Sequence, residues 1–343
     1  LIFIYMFWEI SAICCWRLIG FYREEVTVHF ANKAFIMTVG GALVMLIGFV
    51  GIYGETGTFD LTVMKGTHIP AWTVVFILFG ILSKSATFPL HSWLPDAGVA
   101  PSPVTSLLHA AVLVKIGVYA YVRLFVVTFE IDEVFTAAVP IIAAVSALIS
   151  AGVAMRENNI KRVIAYSTIS QLAFILVGLS CGNEIGVVGG MLYILMHSAA
   201  KGGLFLCAGI VEHNLHTKDM SKMGGLYKSM PFTTFAFILC AFSVMGIPPF
   251  GGFFAKYLVI DGIISSGNIA LGIVFILGAV MTVLYLIRLF VKVFLGPTQT
   301  GRDVKEGTPL MVVSVMILAV LTLALGIFIS VPSGLASLIG GWM

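Results

Sequence analysis

The chain has 343 residues, 59% of them apolar and only 10% charged, with a mean hydropathy of +1.08. A water-soluble protein of this length needs more charge to keep its surface wet, so the bilayer is the expected solvent. The net charge of +3 is small and scattered and gives no support to a nucleic-acid partner. The five cysteines (Cys14, Cys15, Cys181, Cys207 and Cys240) lie in apolar surroundings without a C-x-x-C spacing. They read as small hydrophobes, not as ligands or a disulfide framework.

In chain order, apolar runs of spanning length fall near 1–20, 35–53, 70–90, 103–125, 134–154, 162–181, 185–211, 231–262, 269–295 and 309–331. The expected fold is an all-α polytopic membrane protein of about ten transmembrane helices. The chain opens at Leu1, already inside an apolar helix that carries Trp8 and Glu9, so a preceding N-terminal part is expected. Two runs are interrupted. One breaks at Phe88-Pro89 and runs on through His91 and Asp96; the other breaks at Gly246-Ile247-Pro248-Pro249. Non-helical backbone at membrane depth survives only where protein or a wet cavity satisfies it. Paired breaks five helices apart predict two inverted repeats, with the site at the breaks. Two independent proline kinks are the plainer alternative. The expected segments are 1–126 (the remainder of the first repeat), 127–297 (the second repeat) and 298–343 (a loop and the final span).

The nineteen Lys and Arg residues test this topology. Thirteen fall at alternate connections: Arg17, Arg23, Lys33, Arg156, Lys161, Arg162, Lys218, Lys222, Lys228, Arg288, Lys292, Arg302 and Lys305. Lys65 and Arg123 lie toward the other side, where Glu55, Asp60, Glu130, Asp132, Glu133, Glu184 and Asp261 also collect. The positive-inside rule puts the first connection in the cytoplasm and both chain ends outside, which an even helix count requires.

Lys84, Lys115, Lys201 and Lys256 remain, each inside an apolar run. A lysine at mid-span costs about 2.5–3.5 kcal/mol even on the lenient insertion scale, so four cost about 10–14 kcal/mol before partners are counted. Snorkelling explains one near a helix end but is a poor account of four. Lysine suits a proton relay because desolvation and a nearby carboxylate move its proton affinity in opposite directions. Arginine never releases its proton. Glu9, mid-helix in the first run, is the expected partner of Lys84. His197 and Lys201 stand at i and i+4 and share a helix face. His109 and Lys115 are six apart and point to different sides, joined at most by water. A lone intramembrane histidine also serves as a satisfied packing residue.

Weaker features complete the reading. His91 and Asp96 are expected to support the first break or to line a way in, and Pro248 and Pro249 to shape the second. Glu212, His213 and His216 resemble a metal cluster by type, but a solvated loop is the better reading. The glycine pairs at 40–41, 189–190 and 202–203 read as close helix packing. The sequence holds no P-loop, no dinucleotide-binding fingerprint and no haem or iron–sulfur spacing, so neither cofactor nor metal is expected in this chain.

At this point a family resemblance enters. The stretch from Lys84 to Ala97 (KSATFPLHSWLPDA), followed by Pro101 to His109 (PSPVTSLLH), resembles the antiporter-like subunits of respiratory complex I. That superfamily includes the large Mrp cation/proton antiporter subunits and the membrane arms of energy-converting hydrogenases. Met196 to Leu206 (MHSAAKGGLFL), Met223-Gly-Gly-Leu226 and Gly246 to Lys256 (GIPPFGGFFAK) match as well. The resemblance covers essentially the whole chain. It implies the fifth to fourteenth helices of a fourteen-helix inverted-repeat fold, with the first four absent. It places Glu9, Lys84, Lys115, the His197–Lys201 pair and Lys256 on the family's ion path, with His109 at a histidine found in some members. Tyr193 stands one turn before His197, where some members carry a second histidine, so the centre of the path is expected to lean on water.

The implied function is proton translocation through these residues, coupled to a redox module in partner subunits of a complex I-like or hydrogenase-like assembly. Other membrane subunits, homologous antiporter-like ones included, are the expected partners. The chain itself is then a non-redox subunit of a translocating oxidoreductase in a bacterial or archaeal cytoplasmic membrane. Sodium/proton exchange in an Mrp-type complex and a non-pumping structural subunit are the alternatives.

Overall fold

Only helices and closed barrels satisfy their own backbone inside a bilayer, and the long apolar runs of this chain fold as helices. The computed structural model describes residues 1–297 and 304–340. Six continuous helices are long and apolar enough to cross: α1 (Ile2–Ile19), α2 (Glu25–Thr56), α7 (Glu133–Arg156), α8 (Ile160–Leu179), α9 (Glu184–Leu215) and α13 (Pro309–Ile327). Between α2 and α7 come α3 (Ala71–Lys84), α4 (Trp93–Asp96), α5 (Ser102–Ser106) and α6 (Leu113–Tyr121). Then follow α7 (Glu133–Arg156), α8 (Ile160–Leu179), α9 (Glu184–Leu215), α10 (Pro231–Met245), α11 (Gly251–Ser265), α12 (Ile269–Phe290), α13 (Pro309–Ile327) and α14 (Ser330–Gly340).

Two further spans are composites with wide π-helical turns. Leu107–Ala111 joins α5 to α6, Val122–Val126 ends that span, and Val291–Leu295 ends the span of α12. These bring the helices long and apolar enough to cross a membrane to eight among the described residues. The interrupted spans, α3 with α4 and α10 with α11, complete the ten expected. This is a multi-pass all-α membrane protein.

Three details depart from the hydropathy reading. Helix α2 begins at Glu25, not near 35, because its first turns are amphipathic and an apolar window does not register them. The helix α14 was not expected. The composite spans carry π turns that periodicity does not reveal. Arg302 lies outside the described residues, and the described part of 298–343 forms α13 and α14.

Helix α9 is the hub. It packs against α5, α8, α10, α11, α13 and α14. Helix α8 is buried almost all round, as a helix apolar on every face must be. Close approaches use small residues: Gly41 lies against Ser83, Gly189 and Gly190 against α11 and Leu179, and Gly203 against Cys240. Gly40 and Gly202 meet no such close neighbour.

The expected charge sorting has a structural counterpart. Asp96 accepts from Lys33 and from Arg162, each at 2.7 Å, and Arg162 also pairs with Glu157 at 3.0 Å. Arg288 donates to the Glu157 carbonyl at 2.8 Å and to Asn158 Oδ1 at 2.7 Å. Basic residues from three separate connections thus gather at one edge. Burial pushes the Glu157 carboxyl up, but the backbone N–H groups of Asn159 and Asn158 and the Arg162 guanidinium outweigh it and hold it below the usual carboxylate range. Elsewhere, the two connections at 57–70 and 127–132 are tied by a short parallel pair, β1 (Thr67–His68) and β2 (Phe129–Glu130), with Thr67 opposite Phe129.

Candidate ion-translocation site

The four lysines singled out by sequence are all buried: Lys84 and Lys201 at 0% exposure, Lys256 at 5% and Lys115 at 7%. Each sits where a helix brings it to a neighbouring span, and each has a different answer to its own desolvation.

Lys84 ends α3 at the mouth of the first break. Its Nζ donates to the Trp8 carbonyl at 3.2 Å and lies 5.4 Å from the Trp8 ring centre. The expected ion pair with Glu9 is not formed. Glu9 is an electrostatic neighbour of Lys84, and its Oε1 is buried without a hydrogen-bond partner. One residue earlier in α1, Trp8 takes the place assigned to Glu9, with a carbonyl and a ring face in place of a carboxylate.

The centre is a direct contact. Lys115 on α6 and His197 on α9 meet at 2.6 Å between Nζ and Nδ1. It is buried and links residues 82 apart in sequence. It admits two polarities: an ammonium donates to bare Nδ1, or Nδ1–H donates to a neutral amine. Moving a proton from the ammonium to Nδ1 would turn a neutral Nε2–H imidazole into the imidazolium, and only release from Nε2 would then leave the Nδ1–H tautomer. His197 Nε2 is buried and unpartnered.

His197 and Lys201 share a face of α9 but turn to different neighbours. Lys201 Nζ donates to Ser167 Oγ on α8 and approaches the Ile164 carbonyl at 3.4 Å. Ser167 Oγ in turn stands 2.7 Å from the Tyr285 hydroxyl. His109, in the π turn, has both ring nitrogens buried and unpartnered, and its ring packs 4.5 Å from that of Phe205. Of the two histidines, only His197 is brought into contact with a lysine. Lys256 on α11 reaches back across the second break and donates to the Val244 carbonyl at 2.8 Å and the Met245 carbonyl at 3.1 Å.

The supporting residues divide. Asp96 anchors the first break to the basic edge through Lys33 and Arg162. His91 lies between the rings of Phe88 and Tyr166, with a buried, unpartnered Nδ1. Pro248 and Pro249 occupy the turn between α10 and α11. Glu212 pairs with Lys161 at 2.6 Å and with Lys218 at 3.2 Å, and His213 and His216 line an adjoining cavity of about 1450 Å³. Lys161, sorted by sequence with the connection residues, is 2% exposed.

Of a second set, sequence reasoning singled out only Tyr193. Ser167 and Gln171 on α8, Tyr193 on α9, and Thr282 and Tyr285 on α12 form a buried polar cluster beside Lys201. Their signal was present as Ser167, Thr168, Ser170 and Gln171 on a helix otherwise apolar, but neutral groups escape a search for charge.

With this geometry in hand, comparison with known proteins is direct. The family profile described as "NADH:quinone oxidoreductase/Mrp antiporter, TM" matches residues 1–282. The chain is 31% identical to the Na(+)/H(+) antiporter subunit A1 of Staphylococcus saprophyticus, over 97% of this chain and 46% of that protein. It is 34% identical to NAD(P)H-quinone oxidoreductase chain 5 of Synechocystis, over 90% of this chain and 48% of that protein. It thus spans about half the length of the curated relatives it matches. Among solved structures, it superposes with a TM-score of 0.86 and 25% identity on a chain of the Mrp complex from Dietzia sp., covering 92% of this chain and 68% of that one. A chain of the membrane-bound sulfane sulfur reductase, an archaeal respiratory membrane complex, gives the same TM-score and identity over 98% and 70%. The chain belongs to the family of antiporter-like membrane subunits shared by NADH:quinone oxidoreductases and Mrp antiporters.

Proposed function

We propose that this chain moves protons through a row of titratable residues (half-buried Glu9 and buried Lys84, Lys115, His109, His197, Lys201 and Lys256), coupled to a redox module in partner subunits of a membrane complex. The observation that carries the reading is the 2.6 Å contact between Lys115 and His197. It joins a titratable group of the first half of the chain to one of the second without intervening solvent. Burial gives both groups a reason to exchange a proton instead of holding charge permanently. His109, buried and unpartnered, is an auxiliary member of the row.

The two halves act as inverted repeats over 1–126 and 127–297. Both hold an interrupted span, and both end a later span in a π turn, at Val126 and at Leu295. Basic residues of the gathered edge face the cytoplasm under the positive-inside rule, which leaves the β1–β2 connections and both chain ends outside.

Sodium/proton exchange is the second reading, favoured by the sodium/proton antiporter subunits among the relatives. The experiment is proton flux in sealed vesicles carrying the assembled complex, with and without sodium. The relay reading expects flux that persists without sodium and falls at least tenfold in Lys201→Met, a loss worth about 1.4 kcal/mol of barrier. Flux that requires sodium establishes exchange. Undiminished sodium-free flux in Lys201→Met shows a structural subunit.

A further inference from the structure

A second charge cluster lies away from the proton path, where α7 and α12 end. Arg288 donates to the Glu157 carbonyl at 2.8 Å and to Asn158 Oδ1 at 2.7 Å. Lys292, one turn on, reaches the same Oδ1 at 3.4 Å. The Met220 N–H donates to the Asn158 carbonyl at 2.9 Å, which brings in the short turn Met220–Lys222, itself packed on the π turn Val291–Leu295. Arg156 closes the last turn of α7, two residues before Asn158. Arg156, Lys222, Arg288 and Lys292 thus belong to one corner of the fold, and all but the half-buried Arg288 are exposed.

The protein does not answer this charge. Among the described residues, none of the four cations forms an ion pair. The Glu157 carboxylate is taken by Arg162 and by the N–H groups of Asn158 and Asn159. Asp219 is an electrostatic neighbour of Lys222 and Lys292, but its Oδ1 accepts from the Ser221 N–H and hydroxyl. Arg288 engages two of its five N–H groups, which leaves donors suited to a phosphate. Away from this corner the surface is apolar on both helices. On α7, exposed Val145 and Ile149 lie on the stripe that Arg156 continues. On α12, exposed Leu277, Val280 and Leu284 lead to Arg288. Gly152 lies beside Met281 where the two helices touch. A soluble anion gains nothing from these stripes, whereas an acyl chain does.

We propose that the seam between α7 and α12 seats an anionic phospholipid. Its phosphate is held at the Asn158 corner by Arg156, Lys222, Arg288 and Lys292, and its acyl chains lie along the two exposed stripes. Basic residues at the ends of membrane helices, beside an exposed apolar surface, recognise anionic headgroups in this way. A zwitterionic lipid brings its own cation and is disfavoured by four like charges. The seat uses none of the buried lysines, so it stands or falls independently of the relay.

The test places the assembled complex in nanodiscs of phosphatidylcholine carrying a trace of photoactivatable phosphatidylglycerol and maps the cross-linked peptides. Label is expected on 145–156 and 284–295. It should fall about fivefold in Arg156→Gln and about twenty-five-fold in Arg288→Gln/Lys292→Gln, at about a fivefold step for each cation near a lipid surface. Arg156 has no hydrogen bond or ion pair among the described residues, so its loss does not act through folding. The charge-keeping Arg288→Lys/Lys292→Arg should retain the label. So should Arg17→Gln/Arg23→Gln, which removes two cations from another connection sorted to the same side. An equal fall in that variant shows a diffuse attraction to the whole basic edge and overturns the inference, as does unchanged label in Arg288→Gln/Lys292→Gln. Displacement by inorganic phosphate, but not by chloride of equal ionic strength, assigns the corner to a soluble anion and overturns the lipid.

Discussion

The two broken helices solve the same problem with different chemistry. In each, a span is interrupted and leaves backbone polar groups that need partners. At the first break the partners are neutral: Trp93 Nε1 donates to the Ser83 carbonyl at 3.0 Å, and the Phe88 N–H finds Ser146 Oγ at 3.0 Å. Lys84 is thereby free to point elsewhere, toward Trp8. At the second break a titratable amine does the sealing, as Lys256 donates to both the Val244 and Met245 carbonyls. Aligning Pro89 with Pro249 puts Asp96 in register with Lys256. Asp96 faces the basic edge, whereas Lys256 is turned inward onto its own break. Under the proposed relay, structure and transport are thus separable at the first break and fused at the second.

The largest expected effect breaks this contrast most openly. Lys256→Met strands two helix-end carbonyls, so it should abolish proton flux and also lower stability by about 1–3 kcal/mol. Lys84→Met should abolish flux with little loss of stability, because the Trp8 carbonyl keeps a bond from Ser11 Oγ at 2.6 Å. Thermal unfolding and vesicle flux on the same preparations check the pair. Equal stability losses would mean that the two breaks are sealed alike. Next in size, Trp93→Phe removes a neutral seal at the first break. It should cost about 1–2 kcal/mol while flux continues, which is the mirror image of Lys84→Met.

Much of this was legible in the sequence, and the parts that were not share a cause. Ten spans, both breaks and four buried lysines follow from hydropathy, proline and charge, because the bilayer makes each of these costly or obligatory. Partners did not follow. Glu9 looked like the natural companion of Lys84, but the rotation of α1 delivers Trp8, and no spacing rule fixes that rotation. His197 and Lys201 share a face, yet one reaches α6 and the other α8. The i, i+4 rule states that two side chains start together, not where they end. Lys161 and Glu212 read as connection residues because they lie near a helix end, where depth changes within one turn.

The smallest effect lies at the basic edge. The folded-state affinity of Glu157 for protons is lowered, so its stabilisation is present above the ordinary carboxylate value and is lost as pH falls through the folded one. Glu157→Gln should cost under about 1 kcal/mol near neutral pH. The gap from the parent should close on acidification, as thermal unfolding across pH would show. A gap that widens in acid would reverse the sign assigned to this group. Any secondary response should fall on the first break, because Arg162 pairs with both Glu157 and Asp96.

The central claim is that the two halves of the chain exchange protons through the contact of Lys115 with His197. Its most direct measurement is the proton flux of Lys115→Met complex in sealed vesicles, with assembly checked on the same sample. We predict a loss of at least tenfold in an assembled complex, about 1.4 kcal/mol of barrier or more. Flux equal to that of the parent protein would contradict the account.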